Sequence, residues 1–483
     1  MRTGLQPLVC SSWLSSIENL PAIGYLRVVF AGLGQIKTFT LLEKNLMKTK
    51  FLAFLCFLSL GLNASVYGQS ADWPQFRGPD GNGVVSKLNF PETWSESENV
   101  AWTVDLPGGG LSSPIVSQGQ IFLTTAVGAK PPVSFMEGVG DMRPKKPDTK
   151  VKFKIVSYNL EDGKQLWEST VVDQQPEFPI HGSNSYATES PATDGKRVFV
   201  YFAAVGIVTA FDMDGKEIWR QEIGAYPTGN GFGTGSSLTL GDGNLFVQCD
   251  NDEKSFIVAF DGATGKIRWR KEREGRTSWS TPLFWKNKNR NELIACGSGF
   301  VRSYDPKTGD ELWSMTDVGM SFSASPAADD QKIYFGNSGP RSNGPLVAIN
   351  DSMSGTNAFA ADLKTKGLEW MVMQAGPGLA SPVAVSGNVY IPGRGKLTCY
   401  STSDGSVSFK ERMSLGSMAA SLWAAGDRIF MMDETGKTVV FEATDSMNII
   451  ATNQIADDLF WSTPAVAGNS LLLRGVKKLY CIR

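Results

Sequence analysis

The sequence is poor in the side chains on which most metal and nucleophile sites depend. Its 483 residues include one histidine, His181, and six cysteines, no two of them adjacent. One histidine cannot supply a His-rich zinc site. A catalytic Ser–His pair would have only His181 to use as its base. The formal net charge of −2 gives no overall attraction to nucleic acid or anionic lipid. The composition therefore argues against a zinc hydrolase, a Ser–His hydrolase and a nucleic-acid-binding protein.

Sustained helical periodicity is also missing after residue 68. Residues 47–68 carry two lysines, an apolar run (51–62) and then small residues, which is the layout of a secretory signal peptide. The run is shorter than the roughly 20 apolar residues that a membrane span needs; the alternative is a buried helix. We expect residues 1–46 to be an extension upstream of the true start, or else part of a long leader. The mature chain is then extracytoplasmic, periplasmic or secreted, with no transmembrane span.

Four cysteines remain after residue 68, and they are far apart in the sequence. An exported protein is free to form disulfides. Cys399 and Cys481 hold the same phase of a repeat, two repeats apart, which disfavours their pairing. We therefore expect small buried thiols at all four positions. They are Cys249, Cys296, Cys399 and Cys481.

A short anchor recurs eight times at intervals of mostly 40–47 residues, with a small residue, usually followed by Pro, before a β-rich run. Four short strands per interval are the signature of a propeller blade. The strap-like segment 71–100 precedes the repeats, which we place at residues 101–483. The anchors are SSPIV (112), ESPAT (189), SSLTL (236), STPLF (280), ASPAA (324), ASPVA (380), ASLWA (420) and STPAV (462).

A second element joins a small residue, an Asp, a Gly-containing turn and a Trp, as in AFDGATGKIRW (259–269). The Gly supplies the positive φ of a tight hairpin. The Trp on the outer strand is expected to pack over the small residue and to join one blade to the next. Phe409 is expected to replace it in blade six and Ile450 in blade seven. The tryptophans assigned to this role are Trp102, Trp167, Trp219, Trp269, Trp313 and Trp370.

The chain stops inside its last repeat, before the turn and the Trp strand. Residues 98–106, ENVAWTVDL, hold a Trp strand that has no earlier strands before it. We expect this N-terminal strand to complete the last blade, so that ring closure removes a free sheet edge. The predicted fold is all-β: an eight-bladed propeller of four-stranded antiparallel blades.

The element AFDGATGKIRW resembles the tryptophan-docking motif of PQQ-like (pyrroloquinoline-quinone-type) repeats. Such repeats build the eight-bladed propellers of quinoprotein alcohol dehydrogenases and the non-catalytic propeller of the assembly lipoprotein BamB. The resemblance covers roughly residues 72–483. WPQFRGPDGNG (73–83), NSYATESPATDGKRVFVYF (184–202) and SWSTPLF (278–284) are similar to a large group of secreted bacterial PQQ-like proteins. The resemblance to PQQ-like repeats implies the fold and leaves the activity open.

The loops at the two ends of the propeller differ. Turns after the third strands repeat the DxxTGK pattern, whereas the opposite end carries variable connections and an insertion at 128–150. Functional residues concentrate on variable loops held by a rigid scaffold, so we place any site there, over the channel. The insertion is either a mobile flap over a ligand or a solvated hairpin extension. The ligand-face candidates are His181, Asn184, Tyr186, Asp250, Asp252, Arg276, Trp279, Arg302, Arg394 and Trp461.

Each candidate has a functional and a structural interpretation. His181 is a lone base or a locally bonded loop residue. Asp250 and Asp252 are oxygen ligands for a hard cation or the tip of a solvated hairpin. Arg276, Trp279, Arg302, Arg394 and Trp461 form an aromatic-cationic rim or pack between blades.

Three functions were weighed: a binding scaffold, a quinone-dependent dehydrogenase, and a hydrolase or lyase. The dehydrogenases that the repeat resembles carry an adjacent Cys–Cys pair, a calcium set and an Asp base. This chain has no adjacent cysteines and no calcium set that aligns with theirs. We therefore expect a monomeric, non-catalytic scaffold for an envelope protein, peptide or glycan. It would have neither a catalytic residue nor a metal or other cofactor. The alternative is a dehydrogenase with PQQ and calcium over the channel.

Overall fold

The chain is built from short strands joined by tight turns. The structure, a computed structural model, describes residues 72–134, 143–319, 321–339, 343–393, 395–455 and 457–483. The predicted extension 1–46 and signal peptide 47–68 lie outside these residues. In the described part the helices are two 3-10 turns, Ala203–Val205 and Gly229–Gly231, and no helix there has the length and apolarity for a bilayer crossing.

Blade 3 shows why the sequence turns where it does. Gly265 has φ +71° and donates its N–H to the carbonyl of Asp261 at 2.8 Å. Thr264 Oγ1 donates to the Asp261 carboxylate at 2.8 Å. The Asp therefore caps its own turn, while the Gly adopts a conformation that other residues enter at a cost.

Blades 1 to 4 follow one another directly along the chain, after two strands from the N-terminal segment. Each blade is one antiparallel sheet whose first strand is innermost. The strands are β1 (Val84–Val85), β2 (Val100–Asp105), β3 (Ile115–Ser117), β4 (Gln120–Val127), β5 (Val151–Asn159), β6 (Gln165–Gln174), β7 (Ala192–Thr193), β8 (Arg197–Phe202), β9 (Ile207–Asp212), β10 (Glu217–Glu222), β11 (Thr239–Gly241), β12 (Asn244–Cys249), β13 (Phe256–Asp261), β14 (Ile267–Glu272), β15 (Leu283–Lys286), β16 (Asn291–Gly297), β17 (Phe300–Tyr304) and β18 (Glu311–Thr316).

Blades 5 to 8 continue the pattern with two additions. β22 joins blade 4 as a fifth strand parallel to its outer strand, and β1 joins blade 7 as a fifth strand parallel to its innermost strand. The strands are β19 (Ala327–Ala328), β20 (Lys332–Ser338), β21 (Asn343–Asn350), β22 (Gly355–Ala358), β23 (Leu368–Val372), β24 (Val383–Val385), β25 (Asn388–Gly393), β26 (Lys396–Ser401), β27 (Val407–Arg412), β28 (Trp423–Ala425), β29 (Arg428–Met432), β30 (Thr438–Glu442), β31 (Ile449–Asn453), β32 (Ala465–Ala467), β33 (Ser470–Arg474) and β34 (Lys478–Ile482).

These eight sheets confirm the predicted fold class, an all-β propeller of eight blades. The four cysteines of the described part are buried free thiols, as expected. In blade 8 the outer strand is β2, which runs antiparallel to β34 and sets Trp102 opposite Cys481.

A ring of hydroxyl groups links the innermost strands. In seven successive pairs, the backbone N–H of one anchor donates to the side-chain hydroxyl of the next anchor at 2.9–3.1 Å. Between the last and first anchors, Ser462 Oγ donates to the carbonyl of Leu111 at 3.0 Å. We call these eight residues the hydroxyl ring: Ser113, Ser190, Ser237, Thr281, Ser325, Ser381, Ser421 and Thr463.

Five of the six tryptophans assigned to docking lie against a turn glycine of the neighbouring blade. Trp219 of blade 2 donates its indole N–H to the carbonyl of Gly262 in blade 3 at 3.0 Å, and its ring lies against Gly265. A Cβ on Gly265 would lie 2.5 Å from that ring, so the turn needs Gly for contact as well as for φ. The same pairing of Trp with a turn Gly joins Trp102 to Gly163, Trp167 to Gly215, Trp269 to Gly309 and Trp370 to Gly405.

Two positions depart from the expected pattern. Trp313 donates to the buried carboxylate of Glu292 in its own blade at 2.8 Å, because residues 351–366 replace the short turn of blade 5 and supply β22. In blade 7 the assignment of Ile450 is wrong. Ala451 lies opposite Val440 in the Trp register, and Ile450 occupies the bulge. Phe409, opposite Cys399, does take the Trp position in blade 6.

The segment 72–99 crosses the inner ends of the blades, at the face that carries the repetitive turns. Arg77 is fully buried and donates to the carbonyls of Pro326 in blade 5 (2.9 Å) and Pro382 in blade 6. Trp73 pairs with Val116 of blade 1. We call this segment the strap, and the face it crosses the turn face.

Candidate binding face

Opposite the turn face, the connections between blades converge before the hydroxyl ring. We call the residue two places before each member of the hydroxyl ring the mouth position of its blade. At these positions Trp279 (blade 4) and Trp461 (blade 8) are half-buried, four blades apart, and Leu379 (blade 6) is 48% exposed. The mouth positions are Leu111, Thr188, Gly235, Trp279, Ser323, Leu379, Ala419 and Trp461.

His181, Phe232 and Trp279 form an aromatic cluster on this loop face. The His181 ring lies 5.0 Å from Phe232, which meets Trp279 edge-on at 6.0 Å. Trp279 donates its indole N–H to the carbonyl of Gly233 at 2.7 Å. His181 Nδ1 lies 2.7 Å from Ser183 Oγ, and burial lowers the pKa of the imidazole, which favours its neutral form at pH 7.

Two further candidates hold the loops beside this cluster. Asn184 donates from its amide to the carbonyls of Phe232 at 2.7 Å and Thr234 at 3.1 Å. Tyr186 is buried, its hydroxyl donates to the carbonyl of Phe178 at 3.1 Å, and burial raises its pKa to about 12. Both side chains therefore fasten the connections on which the cluster stands.

The insertion 128–150 is described at both of its ends. Val133 N–H donates to the carbonyl of Gly182 at 2.9 Å, and Lys145 pairs with Ile180. Ser134 Oγ donates to Glu434 of blade 7 at 2.7 Å. The described ends are therefore bonded to two separate parts of the loop face, which is more contact than a solvated hairpin extension implies.

The two aspartates separate in the structure. Asp250 is buried and forms an ion pair with Arg273 at 2.9 and 3.2 Å, so the solvated-hairpin interpretation is wrong for it. Such a pair is costly to break, because one charge would remain buried alone. Asp252 is exposed and accepts from the Thr277 hydroxyl at 2.8 Å.

The predicted aromatic-cationic rim is only partly assembled. Arg276 is exposed on the loop face, and Trp461 donates to Glu434 at 3.1 Å. Arg302 lies on the third strand of blade 4, over the Phe300 ring and paired with Glu311, away from the mouth. Arg394 lies outside the described residues.

Sequence reasoning missed three apolar side chains on this face. Phe232 is 37% exposed and Met373 and Leu379 are 48% exposed. The signal was present in the sequence, because each lies in an interblade connection where exposed apolar residues are not needed for packing. Glycines around Phe232 and Leu379 concealed it by suggesting plain turns.

The alternative function requires a calcium ion bound beside a quinone. A divalent ion beside a quinone needs several oxygen ligands held rigidly. Within the described ranges, no group of three or more His, Cys, Asp or Glu side chains is placed to hold a metal. Of the two aspartates predicted as cation ligands, Asp250 is paired with Arg273.

Comparisons with known proteins agree with the fold. The family model described as outer membrane protein assembly factor BamB matches residues 151–283 and 204–352. The structure of BamB from Moraxella catarrhalis is similar at 12% identity and a TM-score of 0.53, over 79% of this chain and 99% of that one. No curated protein sequence matches significantly.

A catalytic propeller is equally similar in shape. The quinohemoprotein alcohol dehydrogenase ADHIIG from Pseudomonas putida HK5 also has 12% identity and a TM-score of 0.53, over 86% of this chain and 80% of that one. At this identity both likenesses establish the fold alone.

Proposed function

We propose that this PQQ-like β-propeller repeat protein is an exported, non-catalytic scaffold that binds an apolar segment of an envelope protein at its loop face. The observation that carries the proposal is the set of exposed apolar side chains there, Phe232, Met373 and Leu379, on the same face as half-buried Trp279 and Trp461. Exposed apolar patches mark interaction sites, and Trp and Met are enriched in protein interfaces.

The two faces of the propeller support this choice of surface. The turn face is crossed by the strap. Its Trp73 pairs with Val116 of blade 1, and its Val85 pairs with Ala425 of blade 7. The loop face carries the variable connections and the anchored insertion. The export component depends on the predicted signal peptide at 47–68, and a periplasmic or secreted location follows from it.

A matched pair of surface variants tests the binding face. Leu379→Ser with Met373→Ser removes two side chains of the loop face. The control, Ile267→Ser with Ile449→Ser, removes two side chains of similar exposure (51% and 53%) from the outer strands. Peptides would be selected on the purified protein from a random 12-residue library, and their affinities measured by fluorescence anisotropy. We expect a roughly tenfold loss for the first variant and less than twofold for the control.

Three results would contradict the proposal. Equal losses in both variants would place peptide binding elsewhere. Binding of soluble glycans with no peptide selected would change the class of partner. Stoichiometric retention of added PQQ with calcium, followed by absorbance, would overturn the non-catalytic assignment.

A further inference from the structure

Buried oxygen atoms without hydrogen-bond partners concentrate in blades 2 to 4. Among the described residues, six buried side-chain oxygens have no nitrogen or oxygen partner, and five of them lie in these three blades; two of the five, Tyr201 Oη and Ser280 Oγ, lie beside the thiols of Cys249 and Cys296. Buried polar groups are normally paired, so a cluster of exceptions indicates a missing partner. The five atoms are Glu189 Oε1, Tyr201 Oη, Ser236 Oγ, Gln248 Oε1 and Ser280 Oγ.

Three of these residues line one small cavity between blades 2 and 3. Tyr201, Ser236 and Gln248 face it together with Thr234 and Ala203. Interactions with Thr234 and with the backbone of Ala203 oppose the burial that raises the pKa of Glu189. The Glu189 carboxyl group therefore lies beside two residues of the cavity wall.

Glu189 differs from its equivalents in the other blades. It precedes the hydroxyl ring in the anchor ESPAT, and the same position is Ser or Ala in the seven other anchors. It is 2% exposed and forms no ion pair among the described residues, whereas nearby Asp250 is neutralised by Arg273. Burying an unpaired carboxylate is costly.

We propose that this cavity binds a small monovalent cation, either an alkali-metal ion or an ammonium group, with Glu189 as its counter-charge. Tyr201, Ser236 and Gln248 supply neutral oxygen ligands. The cavity adjoins the mouth through Gly235, but cation binding and partner binding are measured by different experiments, so either proposal can fail alone.

The chemistry of the oxygens favours a cation. The amide of Gln248 is oriented by its Nε2, which donates to Asp250 at 2.8 Å and to the Cys296 carbonyl at 2.7 Å. Its Oε1 and an ionised Glu189 are both acceptors only. One carboxylate and three neutral oxygens are too little charge for a divalent chelate but match a single positive charge.

The charge of the cavity depends on pH. Burial raises the pKa of Glu189 to about 7. Between the ordinary Glu range and pH 7, the folded protein therefore keeps Glu189 protonated, whereas the unfolded chain has already lost that proton. Without a cation, stability therefore falls as pH rises from the ordinary Glu range to about 7, and the carboxylate is charged above that. The titratable groups nearby are Tyr201, Tyr226, Cys249 and the Asp250–Arg273 pair.

Thermal unfolding of the purified protein at pH 8 tests the proposal. Chlorides of potassium, sodium, ammonium and methylammonium would be compared with tetramethylammonium chloride at equal ionic strength. We expect a saturable rise in Tm of about 2–5 °C with at least one small cation. A rise in Tm with potassium but not with methylammonium would identify the ligand as a metal ion. A rise with methylammonium but not with potassium would identify it as an amine.

Glu189→Ser provides the matched variant, because Ser occupies this position in blades 1, 3, 4 and 8. It should abolish the cation-specific rise, as should Glu189→Gln, while Glu253→Gln on the adjacent exposed loop should retain it. If potassium raises Tm, crystals grown in rubidium chloride should show anomalous scattering beside Glu189. Equal Tm in all salts, a rise that survives Glu189→Ser, or a cavity holding water alone would overturn the proposal.

Discussion

Blades 2 and 7 solve the same packing problem with side chains from different parts of the chain. In blade 2, Phe199 on the second strand meets Trp219 of the outer strand at 6.0 Å. In blade 7, Phe430 has the equivalent register, but Ala451 stands in the Trp position. The space is filled by the strap, whose Phe90 and Trp94 lie 5.4 and 6.3 Å from Phe430.

The comparison shows that the propeller needs buried side-chain volume at the docking position, and that this volume need not come from a Trp of the repeat itself. Ala451 packs against the apolar cluster that contains Trp94 and Phe90, and the backbone N–H of Trp94 donates to the Asn453 side-chain oxygen on the same outer strand at 3.0 Å. The strap is thus part of the core of blade 7. A blade can lose its docking tryptophan where another segment brings one.

The largest expected effect comes from emptying either filled position. Trp219→Ala should lower the free energy of unfolding by about 3–5 kcal/mol, and Trp94→Ala by a similar amount, because both indoles are buried. Ile218→Ala, beside Trp219 but 46% exposed, is the control and should cost less than about 0.5 kcal/mol. Urea unfolding measures all three. If Trp94→Ala costs no more than the control, the strap does not replace the repeat side chain.

The local part of this architecture could be predicted from sequence. Eight anchors and six docking tryptophans were identifiable because each blade repeats its own turn and register. The Ala451 position was not, since the turn of blade 7 is one residue longer: Val440 and its partner Ala451 are eleven residues apart, whereas Ala259 and Trp269 are ten apart. The contacts of Trp94, Arg77 and Asp250 span distant segments or depend on burial, and no local pattern encodes them.

A smaller effect should separate the two kinds of docking hydrogen bond. Trp313→Phe keeps a smaller aromatic ring but withdraws a donor from the buried Glu292 carboxylate, and the lost hydrogen bond should cost about 1.5–3 kcal/mol. Trp269→Phe withdraws a donor from the Pro306 carbonyl and should cost about 0.5–1.5 kcal/mol. Equal costs in urea unfolding would mean that blade 4 is fastened like the regular blades.

Restoring the repeat residue in blade 7 should destabilise the protein. Ala451→Trp places a second indole in the space of Trp94, and overpacking of this kind costs about 1–3 kcal/mol. Adding Trp94→Ala should recover part of that loss, which a double-mutant cycle measures. Strict additivity of the two changes would show that the residues do not share one space.

The smallest effect distinguishes what the turn glycines do in the regular blades. Gly265 and Gly243 both have positive φ, +71° and +76°, but only Gly265 lies under a Trp ring, and nothing is within 4 Å of a Cβ on Gly243. Gly243→Ala should therefore cost about 1–2 kcal/mol from backbone strain alone. Gly265→Ala should cost roughly 1 kcal/mol more, because Trp219 must shift. If the two costs are equal in urea unfolding, the glycine is needed for its φ only, and Trp219 docks without a close-approach requirement.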